Sequence, residues 1–169
     1  LYGITRSRAF RCLWMLEEIG VPYQRELVAP TETPQPDYMA INPNAHVPAL
    51  KDDGLILWES LAINLYLADK YGKALWPNTP EDRGRCYQWS IWAMTELEAH
   101  ALQALRHRLL YAEAERKEAL ALEAQQSAQK PLGVIEGALA GRSYLLGEAF
   151  TVADLDVAVV STWAQRGKI

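Results

Sequence analysis

The chain has 169 residues, half of them hydrophobic, which is enough for one large domain or two small ones with a buried core. Its 21 acidic residues outnumber 17 Lys and Arg, for a net charge of −4, and no basic run is interleaved with aromatics. That excludes the electrostatic footprint of a nucleic-acid binder. No apolar run reaches membrane-spanning length, and Leu1-Tyr2-Gly3 opens no signal-peptide pattern.

Leu1-Tyr2-Gly3 is short and apolar, as though the chain starts partway into a strand, so terminal segments are expected to be missing. A helix follows over 7–19, with Ala9, Cys12, Leu13, Leu16 and Ile19 on one face and Trp14 and Met15 on the other. A helix apolar on both sides packs on both sides. Gly20 supplies a left-handed cap. A second strand is expected over 21–28, with Pro22 at its start, where a missing N–H does least harm. Three prolines make 29–37 irregular, and a short helix is expected over 38–41. Asn42 to Leu50 reads as a loop entering a strand through Val47-Pro48. The dipeptide Asp53-Gly54 is a hairpin signal between strands 49–52 and 55–58. A helix over 60–71 ends at Gly72.

The stretch 73–79 reads as a linker. Thr79 then caps a helix with Pro80 in its first turn and acids beside its positive end. The helical pattern runs to about Leu139, too long for one helix in a compact domain, so a break is expected over 111–115. Gly141 closes the second helix. Thr151 and Asp154 form a capping-box pair opening a last helix, with Leu155, Ala158, Val159 and Thr162 inward. The organisation is a small α/β domain over 1–72, the linker, and an all-helical domain over 80–169 whose C-terminus is expected to be incomplete. The two cysteines, Cys12 and Cys86, lie inside helical patterns, which suits reduced thiols and a cytoplasmic setting. Six tryptophans suit aromatic packing or an apolar pocket. His100 and His107 have no partner ligands at metal spacing, so no metal is expected.

Four motifs in order carry a family resemblance: Ser7-x-x-x-Arg11, Asn42-Pro43-x-x-x-Val47-Pro48-Ala49-Leu50, Trp58-Glu59-Ser60, and Thr151-x-x-Asp154 after Leu146-Gly147. The α/β half resembles a thioredoxin-like domain. With the helical-bundle half, the chain resembles a cytosolic glutathione S-transferase of the serine type, of bacterial appearance, from Leu1 to about Trp163. The resemblance implies glutathione as co-substrate and a small, apolar electrophile as acceptor. It also implies detoxification chemistry and a homodimer.

The resemblance also implies roles for residues. Val47-Pro48 would be cis, with the Val47 backbone pairing with the cysteinyl part of glutathione; the residues alone favour a trans proline entering an edge strand, since few X-Pro bonds are cis. Glu59 and Ser60 open a helix, where free N–H groups and the dipole attract a carboxylate. They would hold the γ-glutamyl end, or serve only as caps. His46 would meet the glycyl carboxylate, or be a surface loop residue. Ser7 would hydrogen-bond the glutathione thiolate and lower its pKa. Thr5 is the alternative, a backbone N–H a third, and a plain N-cap the other reading of Ser7. Arg11 reads as structural, Tyr2 as strand packing, and Cys12 as core. Trp92 and Glu96, one turn apart, are candidates for an apolar acceptor pocket, against ordinary core packing. Thr151 and Asp154 are structural caps. The competing function is a non-catalytic binding or interaction module of the same fold.

Overall fold

A computed structural model describes residues 1–169 and separates them into two compact units, 1–76 and 77–169. The fold class is the expected one, an α/β unit followed by an all-α unit.

The first unit is built around a hairpin. Strands β1 (Ala49–Asp52) and β2 (Leu55–Trp58) pair antiparallel, with Ala49 opposite Trp58 and Asp52 opposite Leu55. Tyr2 extends the sheet by one residue. Its N–H donates to the Ala49 carbonyl, while the Gly3 N–H donates to Glu26 and the Glu26 N–H to Leu1. The two strands expected over 1–3 and 21–28 thus shrink to single bridges at Tyr2 and Glu26. Past Glu26 the pairing goes on only through the terminal ammonium of Leu1, which donates to the Gln24 carbonyl at 2.8 Å, and Pro22 has no donor to offer.

Helix α1 (Ala9–Ile19) packs on α3 (Ser60–Tyr71), with the short α2 (Pro36–Met39) between them in sequence. Ala9, Cys12, Leu13, Met15 and Leu16 are all buried, and so is Arg11. Met15 shares the buried side, whereas Trp14 stays half-buried and donates its indole N–H to Glu18 at 2.9 Å. Gly20, at φ 72°, ends α1 by donating its N–H to the Leu16 carbonyl. At the hairpin tip, Asp52 accepts from Tyr66, Lys70 and Tyr71 at 2.8 to 3.0 Å, tying β1 to the end of α3. Its partial burial pushes its carboxyl up, but those hydrogen bonds outweigh burial and hold it below its ordinary value.

The second unit is a helical bundle. Helix α4 (Pro80–Trp92) starts where Thr79 accepts from the Asp82 N–H. It runs through a π-helical segment, Ala93–Glu98, into α5 (Ala99–Leu105) and a second π-helical turn, Arg106–Leu110. Tyr111 is extended and breaks the rod inside the expected interval. Helix α6 (Glu118–Leu139) packs on α5, and α7 (Val152–Arg166) packs on both α4 and α5. Burial on α7 goes further round than the expected stripe: Val152, Ala153, Leu155, Val157, Val159 and Val160 are buried, while Ala158 and Thr162 are half-buried. The reason is that α7 is enclosed by two neighbours. Its Asp156 is fully buried and accepts from the Ser90 hydroxyl at 2.6 Å.

Candidate functional site

The loop before β1 is built from an amide. Asn42 is buried, and its Oδ1 accepts from the Asn44 N–H at 3.0 Å, an Asx-type turn. Its Nδ2 donates to the His46 carbonyl at 2.7 Å, and the Tyr38 hydroxyl donates to the same oxygen at 2.7 Å. Burial, with Tyr2 nearby, pushes the Tyr38 phenol up to about 12, so it stays a neutral donor. The His46 imidazole is exposed; its backbone is the part held. The Val47–Pro48 peptide bond is cis. Val47 and Pro48 are buried, yet the Val47 N–H and C=O make no hydrogen bond within the chain.

Gly3 lies against this loop. A Cβ on Gly3 would come within 2.7 Å of the Ala9 Cβ and 3.2 Å of the Val47 Cβ, so only glycine fits, and φ 127° excludes other residues as well. Gly3 therefore brings the start of α1 beside Val47. Just before α1, the Ser7 hydroxyl accepts from the Ala9 N–H at 3.1 Å and donates to the Ile4 carbonyl at 2.7 Å. Ser7 thus caps in this state and is half-buried, while Thr5 is exposed on the turn before it.

The third component is the start of α3. Glu59 is exposed and takes a left-handed backbone, φ 72° and ψ 109°. Ser60 is buried. Its hydroxyl oxygen lies 3.3 Å from Arg11 Nη1, and its carbonyl accepts from the Cys12 thiol at 3.3 Å. The first N–H groups of α3 have no partner inside the helix and carry its positive end. Val47, the turn carrying Ser7, and the Glu59-Ser60 helix start are thus connected through Gly3, Ala9 and Arg11 within one unit. What they present is a strand-like backbone edge, a helix N-terminus with a carboxylate beside it, and hydroxyl groups. That set can hold a small peptide carrying both an ammonium and a carboxylate.

Trp92 and Glu96 belong to the second unit. They line a cleft of about 480 Å³ between α4 and α6 with Ile91, Thr95, Pro131 and Val134. Trp92 is half-buried, meets Trp89 edge-on at 5.2 Å, and Glu96 is exposed. Thr151 and Asp154 are placed as caps: the Asp154 carboxylate accepts from the Thr151 N–H and hydroxyl, both at 2.9 Å, and from the Leu145 N–H at 2.7 Å. No group of three or more His, Cys, Asp and Glu side chains is arranged to hold a metal ion.

Sequence reasoning missed Tyr38 and Asn42 as the residues that hold the site loop, and Gly3 as the residue that lets it approach α1. The Asn42-Pro43 pair was a usable signal for the first, since Asn before Pro favours an Asx turn. Gly3 had no local signal, because its need arises from Val47, far along the chain.

The first 69 residues match the family model described as the glutathione S-transferase N-terminal domain, and residues 93–169 match the C-terminal domain model. The chain belongs to the glutathione S-transferase family. Among curated proteins it is 34% identical to glutathione S-transferase GstB of Escherichia coli, over 98% of this chain and 86% of that protein. It is 31% identical to glutathione S-transferase D7 of Drosophila melanogaster, over 96% of this chain and 73% of that protein. Among solved structures it is similar to the theta class glutathione S-transferase of Xanthomonas axonopodis pv. citri with glutathione bound. That similarity has a TM-score of 0.88 at 33% identity, covering 96% of this chain and 80% of that one.

Proposed function

We propose that the protein is a glutathione S-transferase that adds the glutathione thiolate to a small, apolar electrophile. The observation that carries this reading is the Val47 peptide. Its N–H and C=O are left open on a buried residue whose neighbours lead to the starts of α1 and α3. Membership of the family and likeness to a transferase with glutathione bound support it.

In this reading the Val47 N–H and C=O pair with the cysteinyl backbone of glutathione. The start of α3 and Ser60 take the γ-glutamyl carboxylate, Glu59 takes the ammonium group, and His46 meets the glycyl carboxylate. Ser7 donates to the thiolate, with Thr5 or a backbone N–H as the alternative donor. Donation to the anion lowers the thiol pKa, and holding the thiolate beside an electrophile supplies positioning. Trp92 and Glu96 contribute to the acceptor pocket, and the chemistry is detoxification in the cytoplasm.

The protein acts as a homodimer in this reading, as its membership of the family suggests. Retention on immobilised glutathione together with conjugation of 1-chloro-2,4-dinitrobenzene tests the function. Retention without turnover at any pH would favour the binding-module reading, and neither would sink the transferase reading. Light scattering on the eluted protein tests the dimer.

A further inference from the structure

We propose that Tyr38 and Asn42 are positioning residues for glutathione, acting through the His46–Val47 peptide; this rests on the glutathione reading of Val47. The carbonyl of His46 and the N–H of Val47 belong to one rigid plane and point in opposite directions. Fixing the oxygen therefore fixes the direction of the N–H. The oxygen is fixed twice, by the Tyr38 hydroxyl and by Asn42 Nδ2, each at 2.7 Å.

Neither donor is free to wander. The Tyr38 ring is buried with Val47 and Ala49 and meets the Tyr2 ring edge-on at 6.3 Å. The Asn42 side chain is only 2% exposed, and Asn44 holds its Oδ1 through both a backbone and a side-chain N–H. That fixes which way the amide faces. Two buried donors thus converge on one carbonyl, and the N–H on the far side of the same plane makes no bond within the chain. A loop that needed only to be stable would be served by satisfying the carbonyl; it would not need the opposite N–H left open. The arrangement suits an N–H held ready for an acceptor that arrives with the ligand.

Because the pair acts on ground-state binding of glutathione, its loss should raise KM for glutathione and leave kcat and the electrophile's KM unchanged. Tyr38→Phe keeps the ring and removes one donor. Asn42→Asp keeps the acceptor for Asn44 and removes the other. Each is expected to weaken glutathione binding, read by calorimetry, about fivefold, with kcat within about twofold.

A merely structural role would lower the melting temperature and leave binding by the folded protein unchanged. That outcome in both variants overturns the proposal. Amide NMR of the unsubstituted protein separates the proposal from the reading beneath it. If adding glutathione leaves the Val47 amide unmoved, the glutathione reading of this peptide fails and the proposal with it. If the amide moves and both variants bind like the parent, the proposal alone fails.

Discussion

Arg11, buried in the first turn of α1, places Nη1 3.3 Å from the hydroxyl oxygen of Ser60 in the first turn of α3. This contact joins residues 49 positions apart. It also fixes a hydroxyl of the candidate glutathione site to the helix that follows Ser7. The Cys12 thiol and the Ser60 carbonyl reinforce the same junction. Arg11→Met preserves most of the side-chain volume and removes the donors. It is expected to cost about 1 to 3 kcal/mol in denaturant unfolding, the scale for leaving a buried hydroxyl without its partner. Glutathione affinity should fall as well, because Ser60 loses its anchor. A variant that unfolds at the parent's denaturant midpoint would remove Arg11 from this role.

Ser7 already spends its hydroxyl on two local bonds, accepting from Ala9 and donating to Ile4. The acceptor bond sets the start of α1; the donor bond is the one a thiolate would take over, being the stronger acceptor. Ser7→Ala should therefore lower kcat about a hundredfold, the scale for losing one preorganised donor. Glutathione binding should change little. The lower pKa seen in the pH dependence of kcat/KM should rise toward that of free glutathione. If turnover is unchanged, Thr5→Val becomes the substitution to make.

The two thiols are buried, and burial pushes Cys86 up to about 11 from an ordinary 9.0. Neither should react with a disulfide reagent in the native protein at neutral pH, and both should react after denaturation. The raised value also fixes a pH dependence. The neutral thiol is favoured in the folded state, so its contribution is complete below pH 9.0. It is lost as pH rises toward about 11, because the unfolded chain releases its proton first. Cys86→Ala should flatten the alkaline fall in stability across that window, read by thermal melts at successive pH values.

The legible parts of the fold were those with local causes. Gly20 stops α1, Asp53-Gly54 makes the hairpin, and the rod ends at Tyr111, each from residues within a few positions. The strand expected over 21–28 was not legible as a single bridge at Glu26, since pairing depends on what lies opposite. The π-helical segments Ala93–Glu98 and Arg106–Leu110 were also invisible, because one extra residue per turn hardly alters an apolar pattern. In the candidate site, the motifs named the segments that meet around Val47 and Ser60. They contain Arg11, which reads as structural, and Asn42, but do not say which groups those residues hold. Arg11 and Tyr38 act through three-dimensional neighbours, and nothing in their own surroundings marks Ser60 or the His46 carbonyl as a partner.

The capping pair of the second unit carries more than a cap. The Asp154 carboxylate accepts three hydrogen bonds, two from Thr151 and one from the Leu145 N–H, and it is 9% exposed. A lost cap alone costs about 1 kcal/mol. Here Asp154→Ala would also strand the N–H groups of the buried Leu145 and Thr151, adding about 1 to 3 kcal/mol for each unsatisfied donor. Helix α7 runs through the centre of the unit, so a frayed start exposes Val152, Ala153 and Leu155. The expected loss is at least about 3 kcal/mol in chemical denaturation, with Asp154→Asn intermediate because its amide oxygen can still accept from a subset of these donors. Hydrogen exchange at Leu145 and Thr151 should quicken before the rest of the unit does. An Asp154→Ala variant that melts with the parent, with those amides still protected, would mean that the loop and α7 hold together without the carboxylate.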